Sequence, residues 1–393
     1  MSFNIVTILL LLAAVQGLLL TVLIFQKYRR LYANRFLGVM MCLYSIILFQ
    51  MLLTDLQFDR KYPHVMFFLL GISFLMGPLH YLYTKSIIIS AKKFVRTDWL
   101  HFLPFLIFEL LQLPILFEPA AALTAKREAL YRDGLSLETM LLNWLILAQI
   151  LTYMTLTLVI IRRYDTRIKN LFSTIEKIKL NWIRNITLMA MSVVAIFLLE
   201  NTFFIIGVNV SHFFNLTSIL FAVFVYAMGY MGLSKSEIFA APETSNVMGQ
   251  AAELIDPASD GVRALQPKYE KSGLSPEKAG QYTDQLRRLM ESEKPYRDCE
   301  LTLGQLAHQL SISPHNLSEI INTQMGLNFF DFVNSYRIED VKQSLADPQK
   351  DHIKILALAF DAGFNSKTTF NTIFKKHTRL TPSEYRARLT GRS

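Results

Sequence analysis

The stretch that decides the fold of the C-terminal part is residues 355–386, ILALAFDAGFNSKTTFNTIFKKHTRLTPSEYR. Apolar residues recur in it at helical spacing before a turn at Gly363 and again after that turn. Ser366 suits the N-cap of the second helix, because a serine hydroxyl accepts a hydrogen bond from a free backbone N–H. Two short helices joined by a tight turn, the second with a polar outer face, are typical of a helix–turn–helix. The inward residues are Ile355, Leu358 and Ala359, followed by Phe370, Ile373 and Phe374.

The same pattern occurs earlier in the chain. Leu306-Ala307 corresponds to Leu358-Ala359 at an offset of 52 residues, and the next apolar stripe corresponds at an offset of 53. The second turn is therefore one residue longer. Ser313 is the predicted N-cap here, and Pro314 takes the first helical position, where its missing N–H costs nothing. A long amphipathic helix is predicted between the two patterns, over Phe329–Leu345. The inward residues are Leu303, Leu306, Ala307 and Leu310, followed by Leu317, Ile320 and Ile321.

Three segments together resemble the DNA-binding domain of the AraC/XylS family of bacterial transcription regulators. They are LTLGQLAHQLSISPHNLSEIIN at 301–322, NFFDFVNSYRIEDVKQSL at 328–345, and the stretch at 355–386. The resemblance covers residues 283–389, somewhat over a quarter of the chain. One departure is Arg379, which stands where many family members have the glycine of a left-handed helix cap.

The resemblance implies an all-α C-terminal domain of about seven helices that contains two helix–turn–helix units. These units would enter successive major grooves on one face of the DNA, bridged by the long central helix. Double-stranded promoter DNA is the implied partner, together with RNA polymerase.

Base-reading residues are expected on the outward faces of the two second helices. Lysine and arginine pair with guanine, asparagine with adenine, and glutamate accepts from cytosine N4. The contact positions of the AraC/XylS family select largely the same residues. Each of them could instead be an ordinary solvated surface residue. The candidates are His315, Asn316, Ser318 and Glu319 on the first unit, and Lys367, Thr368, Asn371 and Thr372 on the second.

Charge is distributed unevenly over this domain. Residues 367–393 have a net charge of +6, whereas residues 298–361 have a net charge of −5. Since attraction to phosphate supplies most non-specific affinity, the second unit should anchor DNA more strongly than the first. A single copy is expected to bind weakly, so we hypothesise a homodimer on two half-sites. The predicted phosphate contacts are Lys375, Lys376, Arg379 and Arg386.

The first half of the chain has a different composition. The whole chain is 52% hydrophobic and 18% charged, and every long uncharged run lies before residue 234. Seven runs have the length of about 17–25 residues that a membrane-spanning helix needs. Prolines at positions 78, 104 and 114 are expected to kink them locally. The runs are Phe3–Phe25, Phe36–Thr54, Val65–Tyr83, Leu100–Phe117, Met140–Ile161, Ile186–Ile206 and Leu216–Leu233.

Basic residues in the connecting loops predict the orientation. The loops at 27–35, 84–99 and 162–185 hold 15 lysines and arginines, against five in the alternate loops. The positive-inside rule then predicts a multi-pass protein of the bacterial inner membrane, with its N-terminus outside and its C-terminus cytoplasmic. The first run is not read as a cleaved signal peptide, because its basic cluster follows the apolar stretch.

The sequence therefore predicts three parts. A seven-helix transmembrane sensory domain covers residues 1–239, a flexible linker covers 240–266, and the DNA-binding domain covers 267–393. The basic loop at 162–185 is either an amphipathic helix that carries conformational change or a plain positive-inside loop.

Polar residues inside the apolar runs are candidates for a ligand pocket. Carboxylates in lipid are costly and usually face a cavity or a partner. The alternative is that these side chains only join helices through hydrogen bonds. The candidates are Glu109, Glu200, Asn201, Gln112 and His80.

The sequence gives no reason to expect an enzyme, a cofactor or a metal. It lacks the P-loop, zinc-protease and G-x-S-x-G motifs, and its two cysteines, Cys42 and Cys299, are far apart. The hypothesis is a one-component transcription regulator that is controlled by a small-molecule or membrane signal. The alternative is a transporter-like or purely anchoring membrane domain fused to a DNA-binding domain.

Overall fold

The computed structural model describes residues 5–27, 32–56, 58, 61–89, 94–133, 137–205, 211–240 and 275–389. Regular secondary structure within these residues is helical, and an isolated antiparallel bridge pairs Phe172 with Thr302. This agrees with the predicted all-α class. The chain divides into two compact units, one of residues 1–162 and 180–252 and the other of residues 163–179 and 253–393.

The first unit contains most of the apolar helices. Six helices in the described part of the chain are long and apolar enough to cross a membrane. The longest, α7, extends well beyond the predicted run and ends at Leu171. The α-helices described in this unit, whether or not they could cross a membrane, are α1 (Ile5–Lys27), α2 (Tyr32–Asp55), α3 (Pro63–Leu70), α4 (Ser73–Ile88), α5 (Leu103–Gln112), α6 (Ala120–Asp133), α7 (Leu137–Leu171, whose last turns belong to the second unit), α8 (Asn181–Ile205) and α9 (Ser211–Ala240).

The third predicted run is not one continuous helix. It is divided into α3 and α4 by a turn at Gly71-Ile72. The side chain of Glu109 on α5 takes the space beside Gly71, since a Cβ there would lie 1.9 Å from Glu109 Oε1. Each half is too short to count alone among the six helices, which is why the predicted number of seven runs is not reproduced.

The three prolines act in different ways. Pro78 lies inside α4, whereas Pro104 lies in the first turn of α5, where a proline does not interrupt the helix. Pro114 lies in the first turn of a 3₁₀ helix over Leu113–Phe117 that follows α5 directly. The fourth run is therefore a chain of short helical pieces.

The second unit contains seven α-helices between residues 275 and 389, in agreement with the number of about seven that the resemblance implied. The central helix begins at Phe329 and ends at Ala346, one residue beyond its predicted end. The connection before α12 has four residues and the one before α15 has five, so the longer second turn is confirmed. The helices are α10 (Pro276–Ser292), α11 (Leu303–Gln309), α12 (Pro314–Met325), α13 (Phe329–Ala346), α14 (Ile355–Asp361), α15 (Lys367–Thr378) and α16 (Pro382–Leu389).

The predicted helix caps are present. Ser313 Oγ accepts a hydrogen bond from the backbone N–H of Asn316 at 3.1 Å, and Ser366 Oγ accepts from Thr369 at 3.4 Å. Arg379 has φ 64°, so α15 ends in the left-handed conformation although glycine is missing there. The left-handed cap therefore forms with arginine at this position.

The boundary between the two units differs from the sequence-based division at one place. Residues 163–179, which follow the fifth apolar run, group with the C-terminal unit. The chain is helical there to Leu171 and has no regular helix from 172 to 180, so an amphipathic helix over the whole of 162–185 does not form. The predicted linker lies outside the described residues, except for Ala240 at the end of α9.

Candidate nucleic-acid interface

Helix α15 presents its outward face because its other side is anchored in the core. Phe370, Ile373 and Phe374 are buried, at 1%, 6% and 0% exposure. Phe370 packs against Phe364 in the preceding turn, and Phe374 packs edge-on against Tyr385 of α16. All four predicted base-reading residues of this helix are exposed, namely Lys367, Thr368, Asn371 and Thr372.

Helix α12 is anchored in the same way but offers less of its face. Its inward residues Leu317, Ile320 and Ile321 are buried. His315 is exposed, whereas Asn316, Ser318 and Glu319 are half-buried. Ser318 Oγ also accepts a hydrogen bond from the amide of Asn322 at 3.2 Å. We call α11–α12 the first helix pair and α14–α15 the second helix pair. The candidate base-reading residues of the first pair are therefore less accessible than those of the second.

The predicted phosphate contacts fall into two groups. Lys375 and Arg379 are exposed. The Arg386 guanidinium, in contrast, donates to the carbonyl oxygens of Ile353 at 2.8 Å and Lys350 at 3.1 Å. It also forms an ion pair with Asp351 at 3.2 Å. Arg386 thus holds the turn before α14 and is less available to DNA than Lys375.

Lys376 is exposed but has an acidic partner. Its Nζ lies 2.9 Å from Asp331 Oδ1. Burial raises the pKa of the Asp331 carboxyl, but hydrogen bonds from Lys376 and Asn328 outweigh burial and hold that pKa below its usual range. Lys376 is therefore partly neutralised before any phosphate approaches.

The central helix α13 carries a charged side chain that connects it to the residues before α11. Asp340, which is buried, receives two hydrogen bonds from Arg297, at 2.9 and 3.1 Å. The hydrogen bond to Asp340 raises the pKa of Arg297. This paired arrangement fixes α13 against the residues that precede α11.

Arg337 was missed by the sequence analysis, although it is 1% exposed. Burial lowers the pKa of its guanidinium to about 10, so it stays charged at neutral pH. A signal was available, because Arg337 lies four residues from both Val333 and Val341 and thus on the apolar stripe of α13. A charge on such a stripe has to be satisfied by buried partners.

The candidate pocket residues do not all meet in one place. His80 Nε2 lies 2.8 Å from Thr187 Oγ1, whereas Glu200 Oε2 accepts from Thr217 Oγ1 at 2.6 Å. Thr187 and Glu200 are both on α8, thirteen residues apart, which corresponds to about 20 Å along a helix. His80 and Glu200 therefore belong to separate polar contacts.

The remaining candidates have local surroundings. Asn201 donates from Nδ2 to the carbonyl oxygen of Phe197 on its own helix at 2.7 Å. Glu109 lies against the α3–α4 break, and its Oε2 is buried without a hydrogen-bond partner. Gln112 is half-buried. Among the described residues, no group of three or more His, Cys, Asp or Glu side chains could hold a metal ion.

Comparison with known proteins bears on the C-terminal part of the chain. Residues 306–388 match a family model described as "Helix-turn-helix domain". The chain is 29% identical over 134 residues to YtdP of Bacillus subtilis, which is named an uncharacterized HTH-type transcriptional regulator; the match covers 34% of this chain and 15% of YtdP. It is 28% identical over 90 residues to the arabinose operon regulatory protein of Escherichia coli, covering 23% of this chain and 30% of that protein.

One protein of known structure is similar to the C-terminal part of this chain in sequence. It is the C-terminal domain of the two-component response regulator yesN from Fusobacterium nucleatum, which is 28% identical, with 27% of this chain and 98% of that domain covered, at a TM-score of 0.24. The chain spans between about a seventh and a third of the length of the two relatives above. By the family match, residues 306–388 contain a helix–turn–helix domain. The two relatives above are named as a transcriptional regulator and an operon regulatory protein.

Proposed function

We propose that this protein is a membrane-embedded, one-component transcription regulator of bacteria, which binds specific DNA sequences under the control of its membrane domain. The observation that carries the proposal is the outward face of α15, where all four candidate base-reading side chains are exposed. This face lies within the residues that match the helix–turn–helix family.

Both helix pairs act as helix–turn–helix units in this proposal. The assignment is supported by the correspondence between α11–α12 and α14–α15. The second helix of each pair, α12 or α15, is here called its reading helix, and each reading helix has a serine N-cap. With the two units joined by α13, the reading helices enter successive major grooves. Residues 298–361 have a net charge of −5, so a single copy binds DNA weakly in this proposal. A second copy on an adjacent half-site then raises the affinity for the full site.

The membrane placement rests on length, composition and charge. Six helices in the described part of the chain qualify as spans, and the proposal takes the interrupted α3–α4 pair as a seventh crossing. Many large apolar side chains on these helices are exposed, such as Leu12 and Leu19 on α1, as expected for surfaces that face lipid. With an odd number of crossings and the basic loops inside, the proposed topology has the DNA-binding domain in the cytoplasm.

DNA selection from a random pool tests the main proposal. The full chain in lipid nanodiscs is expected to enrich a motif of two elements about one helical turn, roughly 10 base pairs, apart. RNA polymerase added to the selected promoter tests the predicted second partner. Binding that is equally strong on every sequence would contradict a sequence-specific regulator.

Stoichiometry and topology are tested separately. Native mass spectrometry of the complex is expected to show two copies on the full site, and one copy with full affinity would contradict the dimer. A reporter fused after residue 393 is expected to report a cytoplasmic location. An exterior C-terminus would separate the domain from the chromosome and end the proposal.

Signal sensing in the membrane domain is the least supported part. The unpartnered Glu109 oxygen supports a ligand contact, whereas the Glu200–Thr217 pair fits a simple helix–helix contact equally well. We expect Glu109→Gln to change the response of a reporter gene more than Glu200→Gln does. Glu138→Gln at the start of α7 serves as a matched control. Unchanged reporter response in both variants would remove the pocket.

The second candidate is a transporter-like membrane domain. The break between α3 and α4 favours it, because discontinuous helices hold substrates in many transporters. Transporters of that kind have breaks in corresponding positions of two repeats, whereas the interrupted third and fourth runs of this chain follow one another directly. Loss of substrate uptake in Glu109→Gln cells, with an unchanged reporter, would favour transport.

A further inference from the structure

A short segment between two apolar helices is built into the DNA-binding unit. Residues 163–179, here called the docking segment, comprise the last turns of α7 and the irregular stretch before α8. Leu171 packs against the hydrophobic core that also contains Leu286, Leu306 and Phe332. Buried apolar side chains of the docking segment are Tyr164, Ile168, Phe172, Ile175 and Ile178.

The backbone of the docking segment pairs with the residues that begin the first helix pair. Phe172 and Thr302 form an antiparallel bridge. The backbone N–H of Ser173 donates to the carbonyl oxygen of Leu301 at 3.2 Å, and Ser173 Oγ donates to the same oxygen at 2.7 Å. Thr302 is also the N-cap of α11. The segment therefore holds the entrance of the first helix pair.

The buried Arg337 binds the docking segment and its own domain together. Its Nη1 donates to the carbonyl oxygen of Ser173 at 3.2 Å, and its Nη2 donates to Ser173 Oγ at 3.1 Å. The other N–H groups donate to the carbonyl oxygens of Tyr296 at 2.7 Å and Asp298 at 2.8 Å. A buried guanidinium needs such partners, and Ser173 supplies two of them. Asn334 Nδ2 adds a further hydrogen bond to Ser173 O at 3.2 Å.

The docking segment also reaches the second helix pair. Thr369 Oγ1 on the reading helix α15 donates a hydrogen bond to Glu176 Oε1. The charge of Lys169 is near enough to lower the pKa of Asp331 at the start of α13. One continuous segment thus touches the residues before α11, the central helix and α15.

The docked segment leaves the reading surface free. Thr369 is half-buried and lies beside the exposed Lys367, Thr368, Asn371 and Thr372, so Glu176 does not cover them. The segment also carries five basic and two acidic residues. It therefore adds positive charge to a domain that is acidic around its first helix pair, which favours attraction to phosphate.

We propose that the docking segment is an intramolecular brace that holds the two helix pairs at the spacing required for successive grooves, and that the membrane domain regulates DNA binding through its docking. This rests on the proposed function as a DNA-binding regulator. The docked state is the high-affinity state. Release of the segment leaves Arg337 without its Ser173 partners and frees α15 from its link to the first pair. The partner that binds the Arg337 side chain is thus the docking segment of this same chain.

A disulfide across the bridge tests the proposal in the full chain in lipid nanodiscs. Cys42 and Cys299 are replaced by serine, and Phe172→Cys and Thr302→Cys introduce a single pair. The two positions form the non-hydrogen-bonded kind of antiparallel pair, in which Cα atoms lie about 4.5 Å apart, and a disulfide accepts that distance. Oxidation is expected to form the intrachain disulfide, measured by mass spectrometry.

DNA affinity is then compared in the two redox states of the same protein. The oxidised form is expected to bind the selected DNA as tightly as the cysteine-free parent protein, and the reduced form about five- to tenfold more weakly. A disulfide that does not form, or an oxidised form that binds more weakly than the reduced one, overturns the brace. Comparing two redox states of one protein removes differences in folding between variants.

Point variants test the second contact. Glu176→Ala and Thr369→Val are each expected to weaken binding about threefold. The double variant is expected to bind no more weakly than either single variant, because both changes remove the same hydrogen bond. Glu277→Ala, at an exposed position on α10, is the matched control. Affinities equal to that of the control overturn the contact. If the disulfide forms but no form of the protein selects any DNA sequence, the proposed function fails while the docking contact stands.

Discussion

The two helix pairs of the C-terminal unit have corresponding backbones but place their glycines differently. Ser311 and Gly363 occupy equivalent turn positions, with φ of 55° and 98°. Gly326 and Arg379 occupy equivalent caps at the ends of the reading helices, with φ of 66° and 64°. Each pair therefore has one glycine and one larger residue in the left-handed region. Positive φ alone does not decide where glycine is required.

Space around the backbone makes the difference. A Cβ at Gly363 would lie 2.3 Å from the carbonyl oxygen of Tyr296, whereas a Cβ at Gly326 would meet nothing within 4 Å. Gly363 is therefore required because another part of the backbone comes close to it. Gly326 only avoids the energetic cost that a larger residue has in the left-handed conformation. The second turn is held tightly against the residues before α11.

The outward faces differ in the same pairwise way. His315, Ser318 and Glu319 on α12 correspond to Thr368, Asn371 and Thr372 on α15 at an offset of 53. The α15 residues are all exposed, whereas only His315 is exposed among the three on α12. We therefore propose that the second pair makes most of the DNA contacts and that the first pair makes fewer.

The largest expected effect is on stability. Gly363→Ala should lower the free energy of unfolding by about 3 kcal/mol, because the new methyl group collides with a backbone oxygen at positive φ. Hydrogen exchange of α14 and α15 amides in the full chain measures it. Ser311→Ala at the equivalent turn position is the control and should change stability by less than about 0.5 kcal/mol. Equal effects at the two positions would show that the close approach to Tyr296 is unimportant.

The next effect concerns base recognition. Asn371→Ala should lose about 1–3 kcal/mol of discrimination at one base pair, because an exposed amide can pair with adenine. Binding to sequences that differ only at that base pair measures it. Ser318→Ala, at the equivalent and half-buried position, should cost less than about 0.5 kcal/mol. A loss from Asn371→Ala that is equal on every sequence would make Asn371 a backbone contact.

A smaller and uniform effect is expected from phosphate contacts. Lys375→Ala should weaken binding to all sequences and reduce the slope of log K against log salt by about 1. Asn322→Ala, at the equivalent position of the first pair, should leave the slope unchanged. Lys376→Ala should have a weaker effect than Lys375→Ala, because Asp331 already neutralises Lys376 in part. A salt titration that ranks these three variants otherwise would contradict the proposed anchor.

The smallest effect tests the caps. Arg379→Gly should raise the free energy of unfolding by about 0.5 kcal/mol, since glycine removes the left-handed penalty but gains chain entropy when unfolded. Gly326→Ala should lower it by about 1 kcal/mol. Thermal unfolding of the two variants without DNA measures both. Destabilisation by Arg379→Gly would mean that the arginine side chain itself stabilises the cap.

Much of the C-terminal unit was predictable because its signals are local. The serine caps at 313 and 366, the helical spacing of the core residues and the extra residue of the second turn all lie within a few residues of what they control. The division of the third apolar run was not predictable in this way. Glu109 of α5 takes the place beside Gly71 from a distant part of the sequence.

The candidate site shows the same separation of causes. Its basic residues could be read from the sequence, but not which of them are already engaged. Lys376 meets Asp331, 45 residues away, and Arg386 meets carbonyl oxygens more than 30 residues away. The greater solvent exposure of the outward face of α15, compared with that of α12, is likewise a result of packing.

Residue order alone determined the helical class, the apolar runs and the doubled helix pair, since periodicity and capping act between neighbouring residues. Only the folded chain decided that Ser173 would lie beside Arg337, 164 residues later. The reason is physical: a buried guanidinium donates hydrogen bonds to whichever oxygens surround it, and those oxygens are brought together by packing of the whole unit.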